Sequence, residues 1–177
     1  MLYFSELLNR KVYTEDNIIV GKLTDLVFKL SDTAEITKVV VKTKLDPKTI
    51  IDVVDVLKMN GSVILKKNYH TKELEENELY ISKNLLDSQI IDISGDKMVR
   101  VNDVAIQNQP MLYIAGVDIG LIGFLRWFGV EDLANNLFSR YGIKISPQFL
   151  SWGDIQTLEL SRGHVKIKTE QTKLQKI

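Results

Sequence analysis

Three aspartates have the type and spacing that most suggest chemistry. Asp25 lies in Leu23-Thr24-Asp25-Leu26-Val27-Phe28, and Asp103 in Val101-Asn102-Asp103-Val104-Ala105-Ile106, 78 residues later in matched surroundings. Asp118 stands two residues before Gly120. Carboxylates from two equivalent strands, facing each other across a local twofold axis, would hold a divalent cation such as Mg2+ if several oxygens converged there. The simpler role is structural. A short acidic side chain bonds backbone amides at a turn or a barrel corner, and a repeated fold keeps such residues anyway. The structural role carries more weight for Asp25 and Asp103, and a turn does for Asp118. Asp52, Asp55 and Asp154 read as N-cap acids of short turns.

Other chemistries find little support. His70 and His164 are the only histidines. A metal site or an acid–base pair needs partners close by, and no spacing sets a second ligand beside either, so both read as surface residues. The chain has no cysteine, which removes disulfides, thiol catalysis and cysteine-ligated zinc or iron–sulfur centres. It has no Gly-x-Ser-x-Gly elbow, dinucleotide fingerprint or phosphate loop. The expectation is a protein that is not an enzyme and needs no cofactor.

Phe124-Leu125-Arg126-Trp127-Phe128 is the best candidate for contact with a partner, since exposed aromatic clusters mark such surfaces and Trp and Arg are enriched at binding hot spots. Leu121, Phe124, Leu125 and Phe128 share one helical face, which reads as buried. Arg126 and Trp127 lie off that face and read as the exposed contacts. Residues 130–141 repeat apolar positions at helical spacing, so two short helices joined near Gly129 are expected.

The elements that would position these residues are mostly short strands. Lys11-Val12-Tyr13, a long strand over 18–30 bending at Gly21, another over 36–43, one at 50–53, and Ser62-Val63-Ile64-Leu65 behind the Asn60-Gly61 hairpin signal are separated by polar turns. Strands and turns at this spacing suggest a small barrel. The order then repeats: strands at 90–93, 98–106 and 111–117, turns at 94–96 and 108–110, and a hairpin at 162–165. The 78-residue register runs from Tyr3/Ile81 to Phe28/Ile106, which indicates one supersecondary unit used twice. The fold expected is mainly β: two tandem small barrels related by duplication, with a short helical insertion at about 120–147 in the second. The units are placed at 1–68 and 79–169, with a charged linker at 69–78 and a polar tail at 170–177.

Composition fits an ordinary globular chain, at 45% hydrophobic and 26% charged residues. Lys plus Arg and Asp plus Glu are both 23, and a neutral chain lacks the positive surface that broad nucleic-acid binding requires. The first residues lack a signal peptide's basic start and long apolar core. No run approaches the roughly 18 apolar residues of a membrane span.

Ser5-Glu6-Leu7-Leu8-Asn9-Arg10-Lys11-Val12 followed by Val20-Gly21-Lys22-Leu23-Thr24-Asp25-Leu26 resembles the PRC-barrel domain, which is found in the reaction-centre H subunit and in the ribosome-maturation factor RimM. Leu85-Leu86-Asp87-Ser88-Gln89-Ile90-Ile91-Asp92, Val99-Arg100-Val101-Asn102-Asp103-Val104, Ala115-Gly116-Val117-Asp118-Ile119-Gly120 and Leu150-Ser151-Trp152-Gly153-Asp154-Ile155 together resemble the paired PRC-barrel region that precedes the helical and CBS domains of MgtE-type magnesium transporters. The resemblance reaches about Lys168. It implies a non-enzymatic interaction or regulatory module at the cytoplasmic side, associated with a magnesium-transporter-like assembly. A RimM-like maturation factor and a direct divalent-cation sensor are the alternatives. Partners implied are a protein or the further domains of a longer chain, with Lys173-Leu174-Gln175-Lys176-Ile177 as the approach to them. DNA is not implied, the membrane only indirectly, and self-association stays open.

Overall fold

Apolar–polar alternation and turn residues lay out a chain of short strands. The computed structural model describes residues 1–92, 97–108, 111–140, 148–155, 159–161 and 164–166. The N-terminal part runs β1 (Leu2–Tyr3), α1 (Phe4–Leu7), β2 (Lys11–Thr14), β3 (Ile19–Lys29), β4 (Ile36–Lys42), β5 (Thr49–Asp52), a 3-10 turn (Val53–Asp55), β6 (Val56–Asn60) and β7 (Ser62–Leu65). Gly61 closes the β6–β7 hairpin at φ +39, in the left-handed region that favours glycine. The C-terminal part runs β8 (Glu78–Tyr80), α2 (Ile81–Asn84), β9 (Gln89–Asp92), β10 (Lys97–Arg100), β11 (Asp103–Gln107), β12 (Tyr113–Asp118), α3 (Leu121–Trp127), α4 (Glu131–Arg140), β13 (Phe149–Ser151), a 3-10 turn (Trp152–Asp154), β14 (Glu159–Ser161) and β15 (His164–Lys166). The turn expected at 94–96, part of those at 108–110 and 162–165, and the tail lie outside the described residues. Among the described residues no helix is long and apolar enough to cross a membrane.

The chain is mainly β, and its two larger sheets exchange their first elements. One sheet has the order β5-β4-β3-β2-β7-β6, with β8 added against β3; the other is β1-β11-β12-β13. β1 pairs Leu2 with Ile106 and Tyr3 with Ala105, while β8 pairs Leu79 with Phe28 and Tyr80 with Val27. Each part thus lends its leading strand to the sheet of the other. Between them, Ile36 N–H donates to Leu112 O at 2.9 Å and Ile114 N–H to Ala34 O at 3.0 Å. Glu35 and Tyr113 bridge at the centre. These paired positions are themselves 78 residues apart, so the seam has local twofold geometry.

One continuous hydrophobic core crosses the seam. It joins Phe4, Leu7, Leu23, Leu26, Phe28 and Ile36 with Ile81, Leu85, Val104, Ile106, Ile114 and Trp152. The Phe28 and Trp152 rings meet edge to face at 6.0 Å.

In its sheets, its linker and one strand the fold departs from the sequence expectations. The expected barrels appear as open sheets: among the described residues β5 and β6 do not pair. The outer edge of β5 is covered instead by the following chain, through an Ile51–Thr71 bridge and a Lys72 N–H bond to Ile50 O. The charged stretch at 69–78 is consequently no free tether. Tyr69 packs on the core, and Glu78 is buried against Lys38. The strand expected over 98–106 is split into β10 and β11. The break falls at Asn102, whose N–H turns to Asp118 O, and the equivalent Thr24 sits at a register shift in β3.

Candidate functional site

The two repeated aspartates are used in the same way, each to hold the helix contributed by the other part. Asp25, on β3, accepts from Leu26 N–H at 2.8 Å, from Ser82 N–H at 3.1 Å and from the Ser82 hydroxyl. Asp103, on β11, accepts from Val104 N–H at 2.8 Å, Ser5 N–H at 3.2 Å and Ser5 Oγ at 2.6 Å. Ser82 is the second residue of α2 and Ser5 the second of α1. A carboxylate at a helix start satisfies amides that the helix leaves unbonded. A cation covers each lock: Lys48 Nζ lies 4.1 Å from the centre of the Tyr80 ring, and Arg126 Cζ lies 3.4 Å from that of Tyr3. Burial pushes the Asp25 carboxyl above its ordinary range, against the bonds from Ser82 and Leu26 and the charge of Lys48.

The second lock carries more charge. Asp118 is the register partner of Asp103 across β11–β12, where the first sheet pairs Asp25 with Val40. Asp118 Oδ1 accepts from Gly120 N–H at 2.8 Å, the turn expected from its sequence. Its Oδ2 is buried with no hydrogen-bond partner among the described residues. Arg126 Nη1 lies 2.9 Å from Asp103 Oδ2 and 3.6 Å from Asp118 Oδ2, so one guanidinium serves two buried carboxylates. Burial pushes the Asp118 carboxyl up, with the Asp103 charge adding to it and Gly120 N–H and Arg126 opposing. α3 can approach this closely because Gly123 has no side chain; a Cβ there would stand 2.8 Å from Asp118 Cγ.

The proposed cation site is therefore not assembled. Among the described residues no group of three or more His, Asp or Glu side chains is placed to hold a metal ion. The oxygens of Asp25 and Asp103 already accept from serines and amides, and Arg126 fills the place between Asp103 and Asp118. The other aspartates divide. Asp52 caps its 3-10 turn through Val54 N–H at 3.1 Å. Asp55 does not cap; it is buried and accepts from His70 N–H at 2.8 Å, with His70 Nδ1 at 3.0 Å and Lys66 at 3.4 Å. That contact with His70 N–H, more than any other, holds its carboxyl below the usual range. His70 is exposed but has a carboxylate partner that its spacing did not reveal. Asp154 is exposed at the end of its turn. His164 lies in β15, where only the backbone is described.

α3 presents the opposite face from the one expected. Arg126 is only 6% exposed in its side chain, whereas Leu121, Phe124 and Phe128 are 53%, 51% and 65% exposed. The buried positions are Ile122 and Gly123. Trp127 stays partly exposed while bonding Asn102 O at 2.8 Å and meeting Phe4 edge to face. The inward turn of α3 brings the Arg126 guanidinium to two buried carboxylates, whose uncompensated charge would cost several kcal/mol, and the same turn leaves Leu121, Phe124 and Phe128 outward. α4 turns Leu133 and Leu137 outward as well. The Phe124 and Phe128 rings meet at a tilt of 59°, centroids 5.2 Å apart, and the helices join at Gly129, φ +65.

Several working residues escaped the sequence reading: Tyr3, Lys48, Tyr80 and Ser82, with the buried Lys38–Glu78 pair that ties β4 to β8. A signal was present. Tyr3-Phe4-Ser5 and Tyr80-Ile81-Ser82 repeat at a spacing one residue short of 78, so a gapless register hides them. No curated protein matches the chain. The family model for the PRC-barrel domain matches residues 1–72, and the chain accordingly carries a PRC-barrel domain in its N-terminal part.

Proposed function

We propose that the chain is a non-enzymatic docking module, in which two PRC-type units derived by duplication interlock as a rigid scaffold and α3–α4 supplies the contact surface. The observation that carries this reading is the outward apolar face of Leu121, Phe124, Phe128, Leu133 and Leu137, on an insertion with no counterpart in the N-terminal part. Duplication is supported by the exchange of β1 and β8, the paired aspartate locks and the twofold seam. The buried carboxylates are occupied in holding helices, which leaves them unsuited to acid–base work. The resemblance of the paired units supports a reading in which the module associates with an MgtE-type magnesium-transporter assembly at the inner face of the membrane. Direct cation sensing is disfavoured by the engaged oxygens of Asp25 and Asp103, and a RimM-like role by the neutral charge.

The test is the double variant Phe128→Asp/Leu133→Asp. Exposed substitutions shift stability by about 0.5 kcal/mol or less, so the fold should persist. Binding to the purified helical and CBS domains of an MgtE-type transporter, measured by calorimetry, should be lost. Equal binding by the variant would remove α3–α4 as the surface; no binding by the unaltered chain would remove the transporter reading.

A further inference from the structure

A cavity of about 390 Å3 opens beside the twofold seam, away from α3–α4. Its apolar walls include Met111, Tyr113 and Trp152, and its charged lining is Asp32 and Glu35. Its size suits a small ligand. Trp152 is fixed by its Nε1–H bond to Ser31 O at 3.2 Å and by its contact with Phe28. The backbone of Tyr113 is held by its bridge to Glu35. The Trp152 wall is therefore already in place. Among the described residues the lining holds no Lys, Arg or His, and neither carboxylate has an ion-pair partner.

We propose that this cavity binds a small organic cation with an apolar stem, an alkylammonium or alkylguanidinium group. Aromatic faces attract such cations through their electron-rich rings, the walls cover the stem, and the carboxylates supply charge complementarity that an anion or a neutral alcohol lacks. The chemistry is shared by free amines and by Lys or Arg side chains on a peptide. The site goes beyond the docking role and does not depend on it.

The experiment is an amide and indole N–H NMR titration of the full chain. The Trp152 indole signal is assigned with the Trp127→Phe variant. Probes are n-butylammonium, n-butylguanidinium, the peptide acetyl-Gly-Arg-Gly-amide, and n-butanol as the uncharged control. Shifts should centre on Trp152, Gly153 and Tyr113, with a Kd on the order of 1 mM for the small cations. The alcohol should bind at least about tenfold more weakly, and Asp32→Asn/Glu35→Gln should lower cation affinity by a similar factor. Those two side chains make no hydrogen bond among the described residues, so the variant tests charge without removing support. Tighter binding of the peptide assigns the site to a polypeptide side chain, and equal or weaker binding to a free amine. Absence of localised shifts, equal binding of butanol, or an unaffected charge variant would overturn the proposal.

Discussion

Replacing Arg126 with methionine keeps most of the side chain's length and removes its charge. Asp103 and Asp118 are then left buried, at 0% and 1% exposure, as register partners on neighbouring strands. Removing one partner from a buried ion pair costs about 3–5 kcal/mol. The lower end applies here, because Asp103 keeps its bonds from Ser5 and Val104 and Asp118 escapes part of the penalty by taking up a proton. A loss of about 3 kcal/mol corresponds to roughly 6–12 °C in Tm for a chain of this size. The pH dependence has a definite sign. An acid whose folded pKa lies above its unfolded value binds more protons when folded, so its contribution to stability falls as pH rises through that interval. Asp118 is already in this position, and loss of Arg126 moves it further, so the deficit relative to the unaltered protein should shrink as pH falls toward about 4, the ordinary carboxylate range. Asp118→Val in the Arg126→Met background restores the pairing of the first sheet, where Val40 is 2% exposed, and should recover most of the loss. Urea unfolding followed by circular dichroism between acid and neutral pH measures all three. A deficit below about 1 kcal/mol, within the range of ordinary substitutions, or one independent of pH, or no rescue by Asp118→Val, would refute the reasoning.

Further outcomes follow from the same contacts. Glu78→Gln leaves the buried Lys38 ammonium without its closest counter-charge and should cost about 3–5 kcal/mol, read by thermal unfolding. Ser5→Ala and Ser82→Ala each remove the side-chain bond to one aspartate and should cost about 1.5–3 kcal/mol, by nearly equal amounts if the locks are equivalent. Gly123→Ala drives a methyl against Asp118 and should cost about 1–3 kcal/mol. Asp55, held below the usual range when folded, adds stability at neutral pH that disappears as pH falls through its folded value; Asp55→Asn should flatten the acid limb of the stability profile.

Local elements were legible where local chemistry decides them. Val-rich alternation placed β4, Asn60-Gly61 placed the β6–β7 hairpin, and the apolar spacing around Gly129 placed α3 and α4. The structural role of Asp25 and Asp103 was legible too, since a short carboxylate inside a strand has few other uses. Which helix each one holds was not, because the donors Ser5 and Ser82 lie 98 and 57 residues away. The exchange of β1 and β8 was hidden for the same reason: a strand of two or three residues carries no pattern that names its partner. The face of α3 was inverted because an apolar-face argument weighs Leu121, Phe124 and Phe128 but ignores the need of Asp103 and Asp118 for a cation. His70 found Asp55 through a fold-back of the chain that residue spacing cannot express.

A scaffold that works as one body requires its two parts to stand or fall together. Native-state hydrogen exchange in Asp103→Asn tests this most directly. That substitution weakens the hold on α1 by about 1–3 kcal/mol, a factor of roughly 5 to 150 in protection for amides that exchange through global opening. The account predicts the same loss at Val27 and Phe28 in β3 as at Val104 and Ile106 in β11, because one core spans both sheets. Loss confined to β11 and its neighbours, with β3 unchanged, would contradict it.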